Sequence, residues 1–211
     1  TLSNPQEKIL LARVAGTGER LNFVAGRGMR TPACPSAESA CTLKAFLVPG
    51  DDVLLIAADG PYVCATFKSQ GGTETSGWLP QPALQIVAPD APAVQHWEGK
   101  WRRDGEAEIV LKSRGGILKV SGEASWGSFD PQRVKMGAVN VGELDGEGKP
   151  KDQTLAIGYD PGSSGLPPAQ DGTDCAARLK LYGRYLTVED NGACGGMNVS
   201  FTGLYVRVLG P

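Results

Sequence analysis

The stretch Asp190-Asn191-Gly192-Ala193-Cys194-Gly195-Gly196-Met197-Asn198-Val199-Ser200-Phe201-Thr202-Gly203-Leu204-Tyr205 decides the fold class. A turn dipeptide, Asn191-Gly192, leads into a cysteine, a Gly-Gly pair and a run in which apolar residues alternate with small or polar ones. Asn-Gly accepts the positive φ angles of a tight reversal, and cysteine offers a covalent anchor. Period-two alternation belongs to a strand with one buried face. The stretch therefore predicts an all-β, exported protein and names no reaction.

The same rhythm extends upstream. Strands are predicted near residues 99–103, 106–112, 117–123, 137–144, 153–159, 174–181, 185–190 and 198–208. Their separators, Asp104-Gly105, Arg114-Gly115-Gly116, Asp145-Gly146, Tyr182-Gly183-Arg184 and Asn191-Gly192, are hairpin dipeptides or their neighbours. Eight antiparallel strands with short turns close into a barrel, which removes exposed edges. Residues 161–172, rich in Gly, Ser and Pro, are read as a long loop, and 124–136 as an irregular stretch. No segment carries a long helical period.

Further upstream, Pro89 and Pro92 sit among small residues in a semi-rigid connector. The predicted organisation is a β domain over 1–86, a linker over 87–96 and a disulfide-bearing antiparallel barrel over 97–211. Before the linker, short apolar runs at 9–14, 21–25, 43–48, 53–58, 62–67 and 77–80 are separated by turn signals such as Pro49-Gly50-Asp51 and Asp59-Gly60-Pro61. That pattern predicts a small barrel or roll.

With 211 residues, each part has enough chain for a core, and 29 Gly and 15 Pro suit many tight turns. A net charge of −2 argues against nucleic acid as a partner. No apolar run approaches the roughly 20 residues of a membrane helix. The chain opens at Thr1 without Met or a leader, as expected of a mature protein whose targeting signal has been removed. The 5 cysteines include no C-x-x-C pair, and His96 is the sole histidine, so zinc is not expected. Disulfides in an oxidising compartment are. Cys175 and Cys194 flank the hairpin of 174–181 and 185–190 and are expected to pair. In the first half, Cys34–Cys41 is preferred to Cys41–Cys64, which leaves Cys64 in its strand.

Nucleophilic catalysis needs a base within hydrogen-bond reach, and His96 lies in the linker beside Trp97. The neighbouring carboxylates Asp51-Asp52 and Glu189-Asp190 point to opposite strand faces and are read as solvated turn residues. Asp145-Gly146-Glu147-Gly148 with Asp152 lacks the spacing of a calcium loop and reads as a charged hairpin tip. Arg27-Gly28-Met29-Arg30 and Ser113-Arg114-Gly115-Gly116 lack the pattern of a phosphate loop. No catalytic, metal-binding or cofactor-binding residue is expected. Trp101 is read as a plug for the barrel end. Trp126, Phe129 and Arg133 are the candidate partner-binding residues, an aromatic and basic anchor on a loop.

Two resemblances bear on function. Phe46-Leu47-Val48-Pro49-Gly50-Asp51, Tyr62-Val63-Cys64-Ala65-Thr66-Phe67 and Ser76-Gly77-Trp78-Leu79-Pro80 with Ala83-Leu84 resemble bacterial Src-homology-3-like domains, over about 34–84. That likeness implies a small barrel serving as a binding or targeting module of the cell envelope. Trp97-Glu98-Gly99-Lys100-Trp101 and the closing stretch quoted above resemble an envelope β-barrel family of Gram-negative bacteria, over about 97–207. The second likeness implies a setting and no mechanism. With no catalytic arrangement found, the expected function is that of a periplasmic or otherwise exported, non-enzymatic binding protein. Its most concrete form is an inhibitor of a cell-wall hydrolase such as lysozyme, since small disulfide-bearing periplasmic barrels include such inhibitors. The alternatives are an adaptor docking on an envelope protein or peptidoglycan, and a carboxylate-dependent hydrolase using residues such as Glu123 or Asp160.

Overall fold

The computed structural model describes residues 9–16, 18, 20–29, 31, 33–88, 91–160, 162–163, 165–168 and 174–208. The architecture is all-β. The chain divides into two compact units, Thr1–Ser69 with Thr73–Pro89, and Gln70–Gly72 with Asp90–Pro211.

The first unit is one antiparallel sheet of β1 (Leu10–Val14), β2 (Leu21–Val24), β3 (Thr42–Leu47), β4 (Asp52–Asp59), β5 (Tyr62–Lys68), β6 (Glu74–Pro80) and β7 (Leu84–Ile86). The strand order is β3-β2-β6-β5-β4-β1-β7. Phe23, Leu47, Val53, Val63 and Leu79 fill its core. Asp51 is a turn residue, its carboxylate accepting from Val48 N at 2.9 Å. The short β7 went unforeseen because a three-residue strand is too brief to show a period. Cys34 and Cys41 are bridged, and the bridge forms a small cluster with Val24 and Ala25, against which Tyr62 and Trp78 are half-buried.

The second unit holds β8 (Gly99–Arg102), β9 (Ala107–Arg114), β10 (Ile117–Trp126), α1 (Pro131–Met136), β11 (Asn140–Gly148), β12 (Thr154–Ile157), β13 (Ala177–Tyr182), β14 (Tyr185–Asp190) and β15 (Gly203–Arg207). Its eight strands follow the order β11-β10-β9-β8-β15-β14-β13-β12, a nearly closed antiparallel barrel. Strand alternation is carried through: in β10, Leu118, Val120 and Ala124 are buried while Ile117, Lys119, Ser121 and Glu123 are exposed. The two-residue turn Gly115-Gly116 has φ of 61° and 80°, the left-handed region that the tight hairpin between β9 and β10 requires.

The seam between β11 and β12 has no ladder. It is filled by side chains instead. A Cβ on Gly146 would lie 2.5 Å from Cγ2 of Ile157, and one on Gly148 3.1 Å from Cδ1 of Leu155. This corrects the reading of Asp145-Gly146 as a hairpin tip: β11 runs through it to Gly148, and the glycines make room for β12 rather than for a turn. The long loop expected at 161–172 falls partly outside the described residues.

Trp97 and Trp101 are completely buried, and Trp101 Nε1 donates to the Trp97 carbonyl at 2.9 Å. The W-x-G-x-W opening is therefore core, with the Arg207 guanidinium 4.8 Å above the Trp101 ring. Cys175 is bridged to Cys194, 19 residues on. Changing both cysteines to alanine is expected to cost about 3 kcal/mol, the loop-closure value for a ring of this size. Urea unfolding of the double variant against the oxidised protein measures it.

Candidate functional site

One corner of the barrel gathers the end of β10, α1, the start of β11 and the 191–202 segment. Each piece is held by a specific local device. Ser128 N and Oγ both donate to Glu106 Oε1, at 2.9 and 3.0 Å, tying the turn after β10 to the turn before β9. Asp130 caps α1, accepting from Gln132 N at 2.9 Å and Arg133 N at 3.3 Å. Gly137, at φ 66°, ends the helix in the left-handed region. One and a half turns of helix escaped the sequence reading because six residues show no helical period. The Asp130-Pro131 cap was the signal available.

The three candidate anchor residues have different surroundings. Trp126 is half-buried and packs on the barrel core. Arg133 lies over its ring at 4.0 Å, and Gly127, at φ 85°, leaves the room: a Cβ there would lie 2.7 Å from Arg133 Cδ. Phe129 is 72% exposed and rests over Gly105, where a Cβ would meet its Cζ at 2.1 Å. The same end of the barrel also exposes Val134 and Met136 of α1, Val141 of β11 and Met197, between 54% and 78%. These four were not among the sequence candidates. A single Val or Met shows no pattern until the fold brings it beside another.

The 190–202 segment presents Met197. Asp190, read from sequence as a solvated neighbour of Glu189, is instead half-buried at its centre. Its Oδ2 accepts from Ser200 Oγ at 2.7 Å, Phe201 N at 2.6 Å, Thr202 N at 2.8 Å and Thr202 Oγ1 at 3.1 Å. Oδ1 accepts from Gly192 N at 2.7 Å. Burial works to raise this carboxyl, but the hydrogen bonds led by Ser200 outweigh it and hold the group below the ordinary range. Asn191 Oδ1 accepts from Ala176 N and Ala193 N, while its Nδ2 donates to the Asp174 carbonyl. Asn191-Gly192 thus opens a pinned loop rather than a two-residue hairpin, and β15 starts only at Gly203.

The Gly-Gly pair has a steric reason. Gly195 bridges Gly142 of β11, and a Cβ on Gly142 would lie 2.3 Å from the Cys194 carbonyl oxygen. Gly196 N donates to the Val141 carbonyl at 3.1 Å and Asn140 Nδ2 to that of Met197 at 2.6 Å. Two backbones touch here, and Met197 is left pointing outward beside Val141.

Other candidates lie apart from this corner. His96 is exposed in a 3-10 turn over Val94–His96, its carbonyl accepting from Arg207. Asp160 accepts from Gly162 N at 2.8 Å, a local turn bond. Cys64 is free and half-buried, and burial pushes its thiol up, which suppresses the reactive thiolate. Among the described residues, no group of three His, Cys, Asp or Glu side chains is placed to share a metal ion. In the same set, no helix is long and apolar enough to cross a membrane. The two disulfides point to an oxidising, exported environment.

Comparison of the chain with family models, with curated proteins and with solved structures returned no match.

Proposed function

We propose that the chain is a non-enzymatic binding protein of the bacterial cell envelope, working in the periplasm or after export. Its most concrete form is an inhibitor of a cell-wall hydrolase such as lysozyme. The observation that carries this reading is the exposed apolar corner of Phe129, Val134, Met136, Val141 and Met197 on a cross-linked, hydrogen-bonded frame. Large exposed apolar groups gathered at one place mark interaction surfaces, and a rigid frame reduces the ordering cost of binding. The sequence likeness of both halves to envelope families supplies the setting.

A second reading, an adaptor docking on peptidoglycan or an envelope protein through the first unit, is favoured by the half-buried aromatic pair Tyr62 and Trp78 beside the Cys34–Cys41 bridge.

The test is inhibition of a peptidoglycan-degrading lysozyme by the full chain. Phe129→Ala with Met197→Ala is expected to weaken inhibition by at least about 2 kcal/mol, roughly 30-fold, with thermal unfolding nearly unchanged. Unaltered inhibition would remove the corner from the reading. Wall-hydrolysing activity in the chain itself, abolished by Glu123→Gln or Asp160→Asn, would replace it with the enzyme reading.

A further inference from the structure

We infer that the partner of this corner is a protein whose apolar contact is ringed by cationic side chains. The inference rests on the binding reading above and concerns the chemistry of what binds. Val141 begins the outward face of β11, and that face continues through Glu143, Asp145 and Glu147, all exposed. A strand advances about 3.4 Å per residue, so the three acids span about 14 Å and the last lies about 20 Å from Val141. In the neighbouring strand Glu123 stands directly opposite Glu143, and Ser121 opposite Asp145.

Like charges opposite one another across a ladder destabilise the sheet. On its other side Glu123 stands opposite Glu108, which is neutralised by Lys100 at 2.5 Å and Arg102 at 3.6 Å, and further round the same outer surface Arg178 pairs with Glu189. Glu123, Glu143, Asp145 and Glu147 form no ion pair with any described residue. The nearby cations are largely engaged: Arg133 is stacked on Trp126 and faces Asp130 at 3.9 Å, and Lys100 and Arg102 are held by Glu108. Lys135 stands on α1, and Lys119 lies opposite Glu147 at the far end of the face. An apolar corner continued by a face of acids that make no ion pair with a described residue is complementary to a cationic protein surface. It repels anionic membranes and acidic wall polymers.

The experiment titrates the full, oxidised chain with a cationic animal lysozyme, and in parallel with the same lysozyme after acetylation of its lysines. Native lysozyme is expected to bind, acetylated lysozyme to lose binding, and a rise from 20 to 300 mM salt to weaken affinity by about tenfold or more. Glu123→Lys should weaken binding about tenfold while raising the unfolding temperature slightly, since it replaces a like-charge pair with an opposite one. A purely structural Glu123 would not move the two readouts in opposite directions. Loss of affinity in Phe129→Ala with Met197→Ala but not in Glu123→Lys or Glu143→Lys would overturn the cationic partner and leave the corner standing. Loss with the charge reversals alone would overturn the joint surface. No binding of native lysozyme at low salt would overturn the proposal outright.

Discussion

Asp190→Ala is expected to lower the stability of the second unit by about 3–5 kcal/mol at neutral pH. The carboxylate collects Gly192 N, Ser200 Oγ, Phe201 N, Thr202 N and Thr202 Oγ1, and alanine leaves these donors without their acceptor. The loop it closes also carries Cys194 and Met197, so the variant should loosen the corner as well. The pH dependence follows from the direction of the shift. A carboxyl held below its ordinary value when folded contributes stability above the unfolded pKa, near 4, and loses it as pH falls through the lower folded value. Glu98, held low by Ser113, acts in the same sense. So does Asp104, where burial opposes the shift but the bonds from Arg103, Glu106 and Ala107 prevail. Urea unfolding from pH 7 down to pH 2 should show stability falling in the acid limb, and Asp190→Asn should flatten that limb. An acid limb identical in wild type and Asp190→Asn would refute the assignment.

Trp101→Ala should be comparably severe, about 3–5 kcal/mol. The ring is completely buried at the joint of β8 and β15, under the Arg207 guanidinium, and its Nε1 satisfies the Trp97 carbonyl. Trp101→Phe keeps most of the apolar area and forfeits that hydrogen bond, for a smaller loss of about 1–3 kcal/mol. Calorimetric unfolding of the two variants separates the terms. Equal losses would mean that the indole hydrogen bond, not the area, dominates.

Strand positions were legible because period-two alternation and hairpin glycines are local signals: Gly115-Gly116 and Gly183 stand where the sequence places turns. Cys175 and Cys194 were legible as flanks of a hairpin. What escaped has a common physical basis, since it depends on contacts between distant segments. Gly146 looks like a turn residue until Ile157 is seen leaning into it, and Asp190 looks solvated until the 200–202 segment folds back over it. The same holds for the corner. Phe129 stood out as a loop aromatic, whereas Val141 and Met197, 56 positions apart, become neighbours only through the contact of Gly142 with Gly195. No sequence period encodes such a meeting.

The barrel's strand order has a kinetic consequence. It consists of two consecutive four-strand meanders, β8 to β11 and β12 to β15, joined where the first strand meets the last. Within each meander every strand pairs with its neighbours in sequence, and local pairings carry the smaller loop-closure cost. The joint matches Arg102 with Val206 and Trp101 with Arg207 across about 100 residues of chain, the contact with the largest loop-closure cost. It is braced by Arg103, which reaches the carbonyls of Ser200 and Thr202, and by Arg207 over Trp101. Loss of Arg103 or Arg207 is expected to quicken unfolding and leave refolding nearly untouched if the joint closes after the rate-limiting barrier, and to slow refolding if closure is part of that barrier. The folding and unfolding limbs of each variant read which. In the first case the lifetime of the closed barrel is set at the β8–β15 joint, and the speed of its assembly within the two meanders.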